Sequence, residues 1–220
     1  MNLKSFGCSF VYGTDLADVG TDHAQTQPSQ LTWPALLSQD LGMTYQCHAR
    51  GGTGNLQILE NLIHQVSVDP NSKYVIGWTW IERFDYVDVV QQPECWNTIR
   101  ATSTEPQAQA YYKHLHSELR DKLTTLIYIK TAIDTLVANN CNFVMTYMDE
   151  LVFDQQWHAP ASVKYLQKQI QPHMTTFEGK TFLDWSRAQG FEISKTLHPR
   201  EIAHQAAAKL MRPCVNHFLL

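Results

Sequence analysis

A chain of 220 residues, 44% hydrophobic and 17% charged, has the composition of a globular protein and the length of one domain spanning residues 1–220, not two. Its formal charge of −4, with no cluster of lysine and arginine, excludes the basic surface of a nucleic-acid binder. No apolar run approaches the roughly 18 residues of a membrane span, so no membrane partner is expected. Five scattered cysteines (Cys8, Cys47, Cys95, Cys141, Cys214) form no C-x-x-C pair and read as reduced thiols. The opening "MNLKSFGCSF" has neither the charged lead nor the apolar stretch of a signal peptide, which predicts a cytoplasmic location. Ten histidines raise the question of a metal, but there is no H-E-x-x-H, and His114 and His116, two apart, fall on different faces of a helix. No metal site is expected.

In chain order, "NLKSF" (Asn2 to Phe6) reads as a first strand, "LTWPALLSQDLG" (Leu31 to Gly42) as a helix with proline in its first turn, and "MTYQCHA" (Met43 to Ala49) as a second strand. "NLQILENLIHQV" (Asn55 to Val66) places Leu56, Leu59, Leu62, Ile63 and Val66 on one helical face. "KYVIGWTW" (Lys73 to Trp80) is apolar, β-branched and aromatic, the pattern of a buried strand. The periodicity from Gln107 to Asn139 predicts one long helix, "NFVMTYM" (Asn142 to Met148) a strand, "KTFLDW" (Lys180 to Trp185) a fifth, weaker strand, and "PREIAHQAAAKLM" (Pro199 to Met211) a closing helix. Strands alternating with helices predict an α/β fold, a mostly parallel sheet between two helical layers. Ligands of such sheets sit beyond the carboxyl ends of the strands. The loops after Phe6, Ala49 and Ile76 therefore share one edge. Two aperiodic polar segments, Asp15 to Gln30 and Ile81 to Pro106, each follow one of those strands and read either as a lid or substrate wall, or as surface excursions.

Three stretches at that edge carry chemistry. "FGCSFVYG" sets Ser9 after a glycine that permits a sharp turn, but it is not the G-x-S-x-G elbow, since Val11 holds the last position. Alone, Ser9 reads equally as a helix cap. "ARGGTGN" (Ala49 to Asn55) is a glycine-rich nest of backbone N–H groups at a helix start, suited to an anion or oxyanion. It lacks the lysine of a P-loop and the spacing of a dinucleotide fingerprint. His198 stands directly before Pro199, at a loop tip from which a general base reaches a neighbouring loop.

The order of these motifs resembles the SGNH (GDSL-type) hydrolases over nearly the whole chain. The opening "FGCSFVYG" and the stretch "GWTWIERFDY" (Gly77 to Tyr86) look most like the compact phage and marine bacterial members. The resemblance implies a three-layer flavodoxin-like α/β/α fold and a serine esterase working through an acyl-serine intermediate, with no cofactor. Ser9 would be the nucleophile and His198 the base, with Ser9 and Gly52 N–H groups in the oxyanion hole. Two positions depart from the family pattern. The G-x-N triplet is here Gly77-Trp78-Thr79, so Thr79 or Asn55 would have to supply the missing donor. The aspartate expected three residues before the histidine is Lys195, leaving Glu192 or Asp184 as orienting acids and a Ser-His dyad as the minimum.

A small-molecule or carbohydrate ester is the implied substrate, with Arg83, Trp78 and Trp80 as candidate contacts. Arg50 and Arg83 would steer an anionic group or be ordinary surface charges. The alternative is an SGNH-fold binding or structural module without catalysis, for example on a phage particle, docking through the apolar tail "VNHFLL" (Val215 to Leu220).

Overall fold

The computed structural model describes residues 1–19, 27–87 and 96–219. Strand β1 (Asn2–Phe6) leads into a one-turn helix α1 (Ser9–Tyr12), followed by α2 (Trp33–Asp40), β2 (Thr44–Cys47), α3 (Asn55–Val68) and β3 (Lys73–Trp78). A hairpin of β4 (Phe84–Val87) and β5 (Trp96–Ile99) comes next. The remainder is α4 (Pro106–His114), α5 (Glu118–Ala138), β6 (Asn142–Tyr147), α6 (Ala161–Ile170), α7 (Phe182–Ala188), α8 (Glu201–Met211) and a 3-10 run, Arg212–Leu219.

The main sheet has the order β2-β1-β3-β6 and is parallel throughout. From β1 the chain moves outward in one direction to β2 and then in the other to β3 and β6. The switch point lies between β1 and β3, where an open α/β sheet forms its crevice. All six residues of β3 are buried, as its unbroken apolar run requires. Their side chains alternate between faces. Tyr74, Ile76 and Trp78 join Ile58 and Leu62 of α3 and Leu126 and Ile133 of α5 in one core. Val75 joins Trp33 and Leu37 of α2, Trp185 of α7 and Ala203 and Ala207 of α8 in the other.

Four expectations are corrected here. The periodic stretch from Gln107 to Asn139 is two helices, because the Ser117 hydroxyl caps a new start by accepting from Arg120 N–H, and Leu115, between the two, is exposed. "KTFLDW" is helix α7 rather than a strand: Thr181 caps it by accepting from Asp184 N–H, and Asp184 favours the positive end of the helix. The Thr-x-x-Asp spacing was the missed signal. The tail is not a free docking segment, since Val215 and Phe218 are fully buried in the second core. The segment from Ile81 to Pro106, expected to be aperiodic, contains the β4–β5 hairpin, on which Phe84 stacks against Tyr111 of α4 at 4.2 Å. Cys8, Cys47, Cys141 and Cys214 are free thiols, while Cys95 lies outside the described residues.

Candidate functional site

The turn from β1 into α1 fixes Ser9. A Cβ on Gly7 would lie 2.6 Å from Val11 Cγ2 and 2.9 Å from the Gly77 carbonyl oxygen, so only glycine lets this turn pass beside β3. Cys8 is the N-cap residue, and Ser9 is the first helical position. Its N–H therefore has no acceptor within the helix. The chain then turns back through Gly13 to Asp15, which holds a left-handed backbone conformation (φ 71°).

The other half of the site comes from the loop before α8. The Ser194 N–H donates to the His198 carbonyl at 2.8 Å, and the His198 N–H donates to the Ser194 hydroxyl at 3.1 Å. With Leu197 left-handed (φ 70°), this closed loop presents the imidazole at its tip, against the Phe10 ring. His198 Nε2 lies 2.8 Å from Ser9 Oγ, and Nδ1 lies 2.8 Å from Asp15 Oδ2. The same carboxylate oxygen accepts from the Ser194 hydroxyl at 2.7 Å and from the Thr196 hydroxyl. Arg200 donates to the Asp15 carbonyl, and the Ala17 N–H donates to Glu201 Oε1 at 2.7 Å, which ties the two loops together.

Partial burial alone would push the Asp15 carboxyl up. The hydrogen bonds from Ser194, Thr196 and His198, with the imidazole's charge, outweigh it and hold the group at about 2. An ionised Asp15 accepts the proton on Nδ1, which leaves the Nε2 lone pair facing the Ser9 hydroxyl. The arrangement can therefore take a proton from Ser9 and hold it.

The two proposed orienting acids stand elsewhere. Asp184 caps α7, accepting from the Thr181 hydroxyl at 2.6 Å and pairing with Arg187. Glu192 is exposed, and its carbonyl accepts from Arg200 N–H. Lys195 also points to solvent. The group behind the imidazole is Asp15, two residues beyond the stretch "FGCSFVYG" that carries Ser9. Carried on the same loop as Ser9, it stands far in sequence from position 195, where the resemblance implies an acid.

The α3 side of the crevice also differs from expectation. The Asn55 side chain is buried and fully engaged: Oδ1 accepts from Thr79 N–H at 2.9 Å, and Nδ2 donates to the Thr79 carbonyl at 3.2 Å. The Thr79 hydroxyl is completely buried with no partner. Neither side chain is free to meet an oxyanion. The helical end of the glycine nest is occupied from within. Asp85 of β4 accepts from the N–H groups of Gly54, Leu56 and Gln57, and a Cβ on Gly54 would meet its carboxylate at 2.5 Å. This internal anion takes the place that a nucleotide phosphate would need.

Gly52 is left-handed (φ 81°), with open space where its Cβ would be. Among the described residues no backbone acceptor pairs with the N–H of Ser9 or of Gly52. The Arg50 N–H donates to the Gly7 carbonyl at 3.2 Å, which sets the nest beside the Ser9 turn. Of the candidate substrate contacts, Trp78 is core. Arg83 lies on the Trp80 ring and donates to the Thr53 carbonyl at 2.8 Å, and half-buried Trp80 packs on Phe10 beside the imidazole.

No protein-family model matches the sequence, and no curated protein matches it. Solved structures do. The psychrotrophic esterase EstA from Pseudoalteromonas sp. superposes with a TM-score of 0.55 at 10% identity, over 99% of this chain and 98% of that one. A lipolytic protein of the G-D-S-L family from Veillonella parvula gives 0.51 at 12% identity, over 96% of each chain. A carbohydrate esterase, whose active site displays divergent catalytic and non-catalytic binding functions, gives 0.56 at 14% identity. It matches over 98% of this chain, which spans 64% of that one. The chain has the fold of the GDSL-type (SGNH) hydrolases, with a mostly parallel sheet between helical layers. Among the described residues no helix is long and apolar enough to cross a membrane.

Proposed function

We propose that this protein is a serine esterase that hydrolyses an O-acyl ester through an acyl-serine intermediate, with Ser9 as nucleophile, His198 as general base and Asp15 as orienting acid. His198 Nε2 takes the Ser9 proton as Oγ attacks the ester carbonyl, and Asp15 stabilises the imidazolium. The N–H groups of Ser9 and Gly52 receive the negative charge on the carbonyl oxygen. The imidazolium then gives its proton to the departing alcohol. Water repeats the sequence on the acyl-serine and releases the acid. An O-acetylated carbohydrate is the substrate class we favour, since carbohydrate esterases share the fold and half-buried Trp80 stands beside the imidazole.

The observation that carries this reading is the unbroken chain Ser9–His198–Asp15, 2.8 Å at each link, across sequence separations of 189 and 183 residues. Incubation with a serine-reactive fluorophosphonate tests it. Labelling at Ser9, absent in His198→Ala, together with turnover of p-nitrophenyl acetate above a Ser9→Ala control, supports the esterase. No labelling and no turnover supports a second reading, a binding module on this scaffold. That reading is favoured by the engagement of Asn55 and the burial of Thr79, which leave the oxyanion only backbone donors.

A further inference from the structure

A cleft of about 220 Å³ opens beside the nest, lined by Arg50, Gly52, Gln57, Trp96, Asn97 and Arg100, among others. Two cations line it and, among the described residues, no carboxylate side chain does. Asp85, which bonds the Gln57 and Thr98 side chains of its wall, is buried and also accepts from the N-terminus of α3, and Glu60 lies in the adjoining cleft.

The other described arginines are engaged. Arg120 pairs with Asp121, Arg187 with Asp184, Arg200 with Glu201 and Arg212 with Asp40, while Arg83 lies on Trp80. Arg50 and Arg100 are exposed, and among the described residues neither side chain makes an ion pair or a hydrogen bond. Glu82, whose carboxyl feels the Arg100 charge, is itself held by the Tyr112 hydroxyl and the Ala101 N–H. Two unpaired guanidinium groups therefore face one polar cleft, with the half-buried Trp96 of β5 in the same wall.

We propose that this cleft is an anion subsite, and that the substrate is an O-acyl ester of a carboxylated sugar. This deepens the esterase reading and rests on it. Gly52 belongs both to the cleft wall and to the assigned oxyanion donors, so an ester seated at Ser9 directs its neighbouring ring atoms into the cleft. A guanidinium matches a carboxylate with two parallel N–H···O bonds, and a tryptophan face suits the C–H face of a pyranose.

Two measurements test the proposal. The first compares kcat/KM for O-acetylated glucuronate and O-acetylated glucose in the wild type, Arg50→Gln and Arg100→Gln. The expected result is a preference for the glucuronate of about tenfold or more, which narrows with salt and shrinks by about tenfold in each variant. Equal rates for the two sugars in the wild type, or a preference indifferent to both substitutions, overturn it while leaving the esterase intact. A sulfated O-acetyl sugar, run in parallel, distinguishes carboxylate selectivity from general anion attraction; an equal preference for it overturns the carboxylate assignment. The second measurement is calorimetric titration of Ser9→Ala protein with glucuronate, which needs no turnover. Binding that is lost in Arg50→Gln supports the subsite even if the fluorophosphonate fails to label Ser9, and absence of binding counts against it.

Discussion

The two walls of the crevice use the same short polar side chains in opposite ways. On the Ser9 wall, the Ser194 and Thr196 hydroxyls and His198 Nδ1 converge on the Asp15 carboxylate, and the imidazole it holds stands against the Ser9 hydroxyl. On the α3 wall, Asn55 and Asp85 converge on backbone N–H and C=O groups and hold a strand end and a helix start. Residue type and position at the sheet edge do not separate chemistry from architecture. The partners do. On the α3 wall those partners are backbone groups, and on the Ser9 wall they are a carboxylate and a titratable ring, the groups on which the proposed chemistry would draw.

Substitutions can break or sharpen that contrast. The largest effect is expected at Ser9. Ser9→Ala should lower kcat/KM for p-nitrophenyl acetate by about 10⁴-fold or more with the melting temperature little changed. Asp15→Asn should cost on the order of 10⁴ in kcat by leaving the ring in the wrong tautomer, while Asp184→Asn and Glu192→Gln stay near wild type in the same assay.

The next effect concerns pH. Full burial holds His204, whose Nδ1 accepts from the Trp33 N–H, down to about 3, with the nearby His198 charge acting in the same direction. The unfolded chain binds this proton at an ordinary imidazole value of about 6.5. Stability is thus full above that pH and is lost as pH falls toward 3, by up to about 4 kcal/mol. Asp15, held at about 2, gives stability that persists until pH drops below the usual carboxylate value of about 3.9 and is lost toward 2. Between pH 6.5 and 4 the slope of urea-unfolding free energy reports His204 alone of the two, and His204→Gln should flatten it.

Asn55→Ala should destabilise by about 1–3 kcal/mol for each Thr79 backbone group it orphans, read as a shift in the urea midpoint, with far less effect on kcat than Asp15→Asn. Smallest of all, Thr79→Val should be neutral or slightly stabilising, because the hydroxyl it removes is buried without a partner. A drop of about 10²–10³ in kcat would instead return Thr79 to the oxyanion.

The fold was legible because it rests on periodicity. β1, β3, β6 and α3 stand where apolar spacing puts them, and their alternation implied a parallel sheet. Errors fell where a single hydroxyl overrides periodicity, as at Ser117 and Thr181, and in the hairpin, whose pairing joins residues that no short window sees together. At the site, Ser9 and His198 could be named from short motifs, but their partners could not. Asp15 reaches the ring only because Gly13 and its own left-handed backbone fold the loop back, and Asn55 meets Thr79 only across the crevice. Such contacts depend on three-dimensional closure, which one-dimensional spacing does not encode.

The hydroxyl and the carboxylate ride on one turn, nine and fifteen residues into the chain, while the ring between them arrives from position 198. The three groups meet only when the 194–198 loop closes on the turn after β1, so under the proposed mechanism the site forms with the tertiary fold and not before it. The loop that brings the ring also leads into α8, whose Ala203 and Ala207 belong to the second core, so packing of that core and closure of the site are one event.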